Sequence, residues 1–310
     1  MLQANIEILK AIAKIRNGFL DALMLFLTEF GSEIIVIAVV CALYWCVNKK
    51  LAYRIGMIFF ASGILVQGLK VGFHIERPWV LDKTFEPVAA AKSGATGYSF
   101  PSGHTQGAAA LYGTLFTATQ KRWFKVICAV MIVLVAFTRL YLGVHTPLDV
   151  VVSAAVTLGC VWVFGKVADA LECGNSRDFD LCMILSSLAL LLCVFSFFLA
   201  AQGIVESEHI NDSFKSGGAG VAFAIGWYLE RRYLNFSVRT DRLWKQIVKM
   251  AVGVAVTLAI KSGLKLIAPD NLTVDFIRYF CTVFWVIFLY PMLFNRFSLK
   301  EEKRVENDVE

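Results

Sequence analysis

Three short clusters of polar residues stand at the ends of long apolar segments, and their residue types suit chemistry on a bound anion. They are Lys70 followed by Arg77 and Pro78, the run Pro101, Ser102, Gly103 and His104, and the series Thr138, Arg139, His145 and Asp149. Lysine and arginine bind anions, histidine can attack an electrophile or move a proton, and a carboxylate can hold a histidine ring in one tautomer. The three clusters together favour a catalytic site.

Each cluster also has a purely structural interpretation. Lys70 could extend its amine from an apolar helix to the membrane interface, although its spacing of seven from Arg77 places both near one helical face. Ser102 could simply cap the helix that follows, while Gly103 would let a ligand approach the free N–H groups there. Asp149 follows Pro147 and could serve only to start the next helix. The convergence of all three clusters makes the catalytic interpretation the stronger one.

The composition predicts an all-α, polytopic transmembrane helical bundle. Hydrophobic residues make up 58% of the 310 residues and charged residues only 17%, which excludes a disordered chain and a disulfide-stapled secreted domain. Because a spanning helix needs about 20 mostly apolar residues, we predict about nine spans. They fall at 33–48, 51–73, 104–120, 124–143, 147–169, 180–201, 216–230, 246–267 and 274–295.

Residues 5–30 have apolar positions at helical spacing between charges, which predicts an amphipathic helix lying in the membrane interface. A tenth, irregular span is the alternative. The predicted organisation is an interfacial segment 1–32, a core 33–170 that carries the three clusters, additional spans in 171–295 and a charged cytosolic tail 296–310.

The loops differ in basic residues, which predicts the orientation. Eighteen Lys and Arg residues fall in the loops on one side of the predicted spans and four in the loops on the other, so the first side is cytosolic. The three clusters then face the extracytoplasmic side of what we expect to be the cell membrane. Lys10, Lys14 and Arg16 lie on the wrong side in this arrangement, which is its weakest point.

The three clusters resemble the signature of the type-2 phosphatidic acid phosphatase superfamily, which includes lipid diphosphate phosphatases and vanadium haloperoxidases. The first two match fully, and the third differs only in that Thr138 replaces a serine. The resemblance covers about residues 33–169. It implies that His145 attacks phosphorus, that Asp149 orients His145, and that His104 protonates the leaving group. It also implies that the phosphoryl oxygens are bound by Lys70, Arg77, Ser102, Gly103 and Arg139.

The function expected from the resemblance is hydrolysis of a membrane lipid phosphate or diphosphate through a phosphohistidine. We expect no cofactor, no catalytic metal and no nucleic-acid partner, because the outer loops hold no carboxylate cluster suited to Mg²⁺ or Zn²⁺. A lipid phosphotransferase with the same phosphohistidine is the nearest alternative. A non-catalytic lipid-binding or transport protein is a more distant one.

Several other residues remain open. The eight cysteines form no Cys-x-x-Cys pair and are interpreted as apolar packing residues. The run 217–220, Gly-Gly-Ala-Gly, predicts close helix packing. Lys261, Lys265 and Arg278 could anchor the last spans at the interface or contact a phosphate-rich head group. His74 and His209 match no cluster, and His74 could lie at the rim of the site.

Overall fold

The computed structural model describes residues 2–172, 177–238, 243–267 and 271–296, and every regular element in these ranges is helical. The predicted tail 296–310 therefore lies almost wholly outside the described residues. The helices are Leu2–Ala13 (α1), Gly18–Thr28 (α2), Glu33–Ala42 (α3), Lys49–Phe73 (α4), Pro78–Leu81 (α5), Ala89–Lys92 (α6), Gly103–Ala118 (α7), Arg122–Tyr141 (α8), Pro147–Glu172 (α9), Asp178–Ala201 (α10), Asn211–Leu229 (α11), Leu243–Ile267 (α12) and Leu272–Phe284 (α13).

Short polar side chains start several of these helices. Asn17, Ser32, Asn48 and Ser102 each accept a hydrogen bond from a backbone N–H in the first turn of the helix that follows. Such caps satisfy N–H groups that have no partner within the helix. The α4 helix ends at His74, whose φ of 39° and ψ of 40° turn the chain out of the helix toward the loop.

The predicted transmembrane bundle is confirmed, but the count of nine spans is not. Within the described ranges six helices are long and apolar enough to cross a membrane, and a seventh span is possible if the bent pair 18–31 and 33–47 counts as one. The predicted spans 33–48, 104–120 and 216–230 are not among the six, and 33–48 forms the second half of the bent pair. The α3 and α7 helices have only 10 and 16 residues, and α11 opens with Asp212 and Lys215.

The α4 helix lies at the centre of the bundle. It packs against α7 and α9 on one side and against α10 and α11 on the other. The α11 helix also packs closely on α13, where a side chain on Gly218 would meet the backbone of Phe276. The small residues of 217–220 therefore serve helix packing, as predicted. The spans after residue 171 share the central helix with the predicted core.

The amino-terminal segment differs from the prediction of one amphipathic helix over 5–30. It forms two helices, because the chain turns at residues 14–17. The segment docks onto the loops beside the three clusters: Lys10 of α1 pairs with Asp82 at 2.8 Å, and Arg16, in the turn between the helices, donates from Nη1 to the carbonyl oxygen of Glu86 at 2.7 Å and from Nε to that of Tyr141 at 2.9 Å. The Lys10 ammonium lowers the pKa of Asp82 to about 2. Two of the three basic residues that opposed the orientation thus have partners in these loops.

The two ends of the bundle differ in their ion pairs. The end opposite the three clusters carries Lys49 with the fully buried Glu230, Arg54 with Asp169, and Arg231 with Asp178.

The seven cysteines in the described ranges are free thiols, mostly buried among apolar side chains, and Cys173 lies outside these ranges. The cysteines that are described pack as the sequence predicts.

Candidate active site

The three clusters meet in one cavity of about 300 Å³ at the end of the bundle. Each residue is placed by the end of a helix or the loop beside it: Lys70 lies in the last turn of α4, Gly103 and His104 begin α7, and Arg139 lies in the last turn of α8. Six of the eight predicted residues line the cavity, namely Lys70, Arg77, Gly103, His104, Arg139 and His145. The side chains of Ser102 and Asp149 are buried behind it.

Asp149 lies behind His145 in a network of hydrogen bonds. Its Oδ2 accepts from the Ser99 hydroxyl at 2.5 Å and from the Thr146 backbone N–H at 2.8 Å. The distance from Oδ2 to His145 Nδ1 is 3.4 Å, an ion-pair separation that is longer than a well-formed hydrogen bond. The carboxylate is therefore fixed by two donors while it faces the histidine ring.

The other ring nitrogen of His145 faces Arg77. Nη1 of Arg77 lies 3.2 Å from Nε2 of His145. A guanidinium has no acceptor, so Nε2 is the nitrogen without a proton and Nδ1 carries the proton toward Asp149. Burial, together with the charge of Arg77, lowers the pKa of His145. Both effects favour a neutral ring, whose Nε2 lone pair accepts from Arg77 at the wall of the cavity.

Arg77 is also held by the loops. Its Nε donates to the carbonyl of Gly97 at 3.0 Å, Nη2 to that of Thr96 at 2.6 Å, and Nη1 to that of Val144 at 2.9 Å. Arg77 therefore joins the loop before α7 to the loop before α9. Few of its five N–H groups remain for a ligand.

Ser102, which the resemblance assigns to the phosphoryl oxygens, is not among the residues that line the cavity. Its hydroxyl accepts from the backbone N–H of Thr105 at 3.4 Å and from the Thr105 hydroxyl at 3.1 Å, so it caps α7. The Ser102 carbonyl accepts from Ser153 of α9 at 2.6 Å. Gly103, in contrast, is exposed to the cavity, and a side chain there would meet nothing within 4 Å.

Lys70 and His104 are free to contact a ligand. The Lys70 amine and the His104 ring make no hydrogen bond or ion pair to any residue that the structure describes. Only 8% of the Lys70 surface is exposed, and that surface faces the cavity. An unpaired buried cation is costly, so this position suits an anionic ligand.

The opposite wall of the cavity comes from residues that no motif pointed to. Glu33 of α3, Asp212, Lys215 and Ser216 of α11, and Tyr279 of α13 line it. Asp212 accepts from Lys215 at 2.8 Å and from the Thr96 hydroxyl at 3.3 Å, which ties α11 to the loop before α7. The spacing of Asp212 and Lys215 at the start of an apolar helix was the signal in the sequence, and it was weak.

The remaining predicted positions lie outside the cavity. His74 and His209 both pack on Tyr98, with ring centroids at 6.1 and 4.4 Å, so His74 is not a rim residue. Lys261 and Arg278 lie beside the ring of Tyr279, and Arg278 forms an ion pair with Asp275. Across the described part of the chain, no three His, Cys, Asp or Glu residues form a group that could hold a metal ion.

The fold and the cavity define an integral membrane protein with a polar, cation-lined site between its helices. The PAP2 superfamily model matches residues 51–172, and the model for the transmembrane extension of PAP2 superfamily phosphatases matches residues 214–303. The chain belongs to the PAP2 superfamily. The family resemblance thus extends beyond the boundary near residue 169 to the last helices, which carry none of the three motifs.

Three relatives describe the range of the family around this chain. An undecaprenyl-diphosphatase of Sulfolobus acidocaldarius is 30% identical over 148 residues, 47% of this chain and 70% of that protein. An undecaprenyl-diphosphatase of Bacillus subtilis is 29% identical, with 54% and 86% covered. Sphingosine-1-phosphate phosphatase 1 of Mus musculus is 24% identical over 272 residues, with 82% and 62% covered. The chain is therefore a lipid phosphatase.

Proposed function

We propose that this enzyme hydrolyses a lipid phosphate or diphosphate through a phosphohistidine on His145. The observation that carries the proposal is the position of His145, whose Nε2 faces Arg77 Nη1 at 3.2 Å, in a cavity that is also lined by His104, Lys70 and Arg139. A neutral imidazole becomes a nucleophile when substrate displaces the donor on its lone pair, and cations around it bind the phosphoryl oxygens. The names of the relatives support the reaction class.

In the first step Nε2 of His145 attacks phosphorus, and the bond from phosphorus to the leaving oxygen breaks. His104 gives its proton to that oxygen, which is the lipid alcohol or, in a diphosphate, the bridging oxygen. The phosphorylated ring is cationic, and the Asp149 carboxylate stabilises it. Lys70, Arg139, the Gly103 amide and the remaining donors of Arg77 bind the equatorial oxygens as their charge redistributes.

In the second step a water molecule attacks the same phosphorus while neutral His104 accepts its proton. The bond between phosphorus and nitrogen breaks, inorganic phosphate leaves, and His145 returns with a free Nε2. Transfer to an alcohol in place of water would make the enzyme a phosphotransferase. We propose that neither step requires a metal ion, because Lys70, Arg77 and Arg139 supply positive charge around the phosphoryl oxygens.

We further propose that the site opens to the extracytoplasmic leaflet of the cell membrane. The distribution of basic residues and the docking of Lys10 and Arg16 on the loops beside the site support this orientation. The lipid tail would stay in the bilayer while the phosphate enters between helices. The wall formed by α11 and α13 would meet the part of the head group beyond the phosphate.

The test is phosphate release by the purified protein in the presence of a chelator. A panel of polyprenyl diphosphate, phosphatidic acid, phosphatidylglycerophosphate and a sphingoid phosphate identifies the substrate class. Brief reaction with a ³²P-labelled substrate, followed by an alkaline quench, should leave label on the wild-type protein and none on His145→Ala. His209→Ala, a histidine outside the cavity, is the matched control and should keep both label and turnover.

More than a tenth of wild-type turnover in His145→Ala, or label on that variant, would refute the covalent step. A nucleophile and its partners act as a unit, so its loss should lower kcat by several orders of magnitude. Turnover that appears only after Mg²⁺ or Zn²⁺ is restored would refute metal independence and leave the phosphatase assignment intact.

A further inference from the structure

Arg139 is anchored by a residue far away in the chain. Its Nη1 donates to the hydroxyl of Thr28 at 2.9 Å, and this is the one hydrogen bond of the Arg139 side chain to any described residue. Both residues are buried, with 4% and 3% of their surfaces exposed. Arg139 lines the cavity and Thr28 does not. The threonine thus lies behind the arginine as seen from the ligand.

The rest of the Arg139 guanidinium is available to a ligand. Its Nη2 makes no hydrogen bond to any residue in the parts of the chain that the structure describes, and the side chain lines the cavity. An arginine side chain loses rotamer entropy when it is fixed in one orientation. A hydroxyl that already fixes one end of the guanidinium reduces the loss that remains when a phosphoryl group binds.

Thr28 is itself held firmly. It ends α2, and the next turn brings Gly31 so close to α7 that a side chain there would lie 2.5 Å from the carbonyl oxygen of His104. At the other end of α2, Asp21 accepts a hydrogen bond from the Tyr141 hydroxyl at 2.8 Å. The first contact connects the end of α2 to the start of α7, and the second connects the beginning of α2 to Tyr141 at the end of α8, so Thr28 is a fixed point of attachment.

We propose that Thr28 is a positioning residue for Arg139, which it orients toward the phosphoryl oxygens. Thr28 precedes both regions that the family models match, 51–172 and 214–303. The inference rests on the proposed role of Arg139 in phosphate binding. The sequence suggested that the amino-terminal helices form only a membrane-surface segment. Under this proposal they contribute to the active site.

The test removes the hydroxyl of Thr28, either with the side-chain shape kept, as in valine, or with the side chain shortened to alanine. Thr28→Val and Thr28→Ala should each lower kcat/KM on a lipid phosphate about tenfold, the size expected for one hydrogen bond to a charged group. They should also weaken competitive inhibition by inorganic phosphate by a similar factor. Thr28→Ser retains the hydroxyl and should stay within about twofold of wild type. Thr114→Val is the matched control, because it removes a buried hydroxyl that bonds only within α7.

A double-mutant cycle separates positioning from general destabilisation. If Thr28 acts through Arg139, Thr28→Val should change kcat/KM less than twofold in an Arg139→Ala background. Independent, multiplying losses would overturn the proposal, as would wild-type phosphate inhibition in both Thr28→Val and Thr28→Ala. A wild-type protein that releases no phosphate from any lipid would refute the proposed function instead, and binding of inorganic phosphate measured by calorimetry would still test Thr28.

Discussion

Nη1 of Arg77 contacts Nε2 of His145 at 3.2 Å, so the nitrogen proposed to attack phosphorus is covered by a hydrogen-bond donor before substrate arrives. A phosphoryl group that reaches Nε2 must displace this donor, and its own oxygens are suitable new acceptors for the guanidinium. The other donors of Arg77 remain bound to the carbonyls of Gly97, Thr96 and Val144, so the arginine need not move far.

The charge of Arg77 should affect the pH profile. Burial and this charge both hold the pKa of His145 below its usual value. Arg77→Gln removes the charge, so the pKa of His145 should rise and the acid side of the kcat/KM profile should move to higher pH. Arg54→Gln, at the opposite end of the bundle, is the control. An unchanged or lower acid limb in Arg77→Gln would contradict the assignment of His145 as the group that must be neutral.

Asp149→Asn should be milder than Asp149→Ala. The Ser99 hydroxyl and the Thr146 N–H both donate to Oδ2, so an asparagine must keep its oxygen at that position and can still accept from His145 Nδ1. The His145 ring therefore keeps its tautomer, and the variant loses only the negative charge of Asp149 that stabilises the phosphorylated ring. We expect kcat to fall roughly 10- to 100-fold in Asp149→Asn and further in Asp149→Ala. Equal losses, measured by steady-state kinetics, would show that charge alone matters.

His104→Ala should distinguish between leaving groups. An alkoxide needs a proton to leave, whereas an activated aryl oxide leaves without one, so general acid catalysis contributes more to the first reaction. The loss of kcat/KM should be about 10²- to 10⁴-fold on a lipid monoester and much smaller on an aryl phosphate. Parallel assays of both substrates measure the ratio. If the ratio of kcat/KM on the aryl phosphate to kcat/KM on the lipid monoester is the same in His104→Ala as in the wild type, His104 does not protonate the leaving group.

Gly31 should be intolerant of a side chain. A methyl group there would lie 2.5 Å from the His104 carbonyl oxygen and 2.6 Å from Val135, so Gly31→Ala must push α7 away. Overpacking of this kind destabilises proteins by about 1–3 kcal/mol, and here it also displaces His104. We expect a lower melting temperature in detergent and reduced turnover. Gly18→Ala, where a methyl group would meet nothing within 4 Å, should change neither.

The orientation in the membrane can be measured directly. Single cysteines at Lys92 and Lys245, in a background without native cysteines, are labelled on intact cells with an impermeant thiol reagent. Position 92 lies in α6 beside the site, and position 245 lies in the first turn of α12 at the other end of the bundle. We expect label at 92 and none at 245. The reverse pattern would place the site in the cytosol.

The motifs predicted one wall of the cavity well, because Lys70, His104, Arg139 and His145 occupy helix ends that local spacing fixes. The opposite wall could not be predicted this way. Glu33, Asp212 and Tyr279 are separated by more than 60 residues from one another in the sequence, and only the packing of α11 on α13 and α4 brings them together. The hydroxyl of Ser102, expected to contact a phosphoryl group, accepts from the backbone N–H of Thr105 at the start of its own helix, which is the capping role that the sequence also allowed.

The span count also depended on information that periodicity does not carry. The α7 helix is too short to be recognised as spanning, yet its buried Ala108, Ala109 and Ala110 pack within the bundle. The amino-terminal charges suggested a surface helix, whereas Arg16 and Asp21 form specific hydrogen bonds with Tyr141. In each case the partner is distant in sequence, so no local pattern reveals it.

The two walls of the cavity come from different segments of the sequence. The residues around His145 come from the region between α4 and α9, and the facing residues Asp212, Lys215 and Tyr279 come from α11 and α13. Mutations that accumulate in the later stretch can reshape the far side of the cavity without touching the hydrogen bonds of Asp149 or Arg77. Such a division gives evolution a way to diversify the lipids that a lineage accepts while the reaction itself is inherited unchanged.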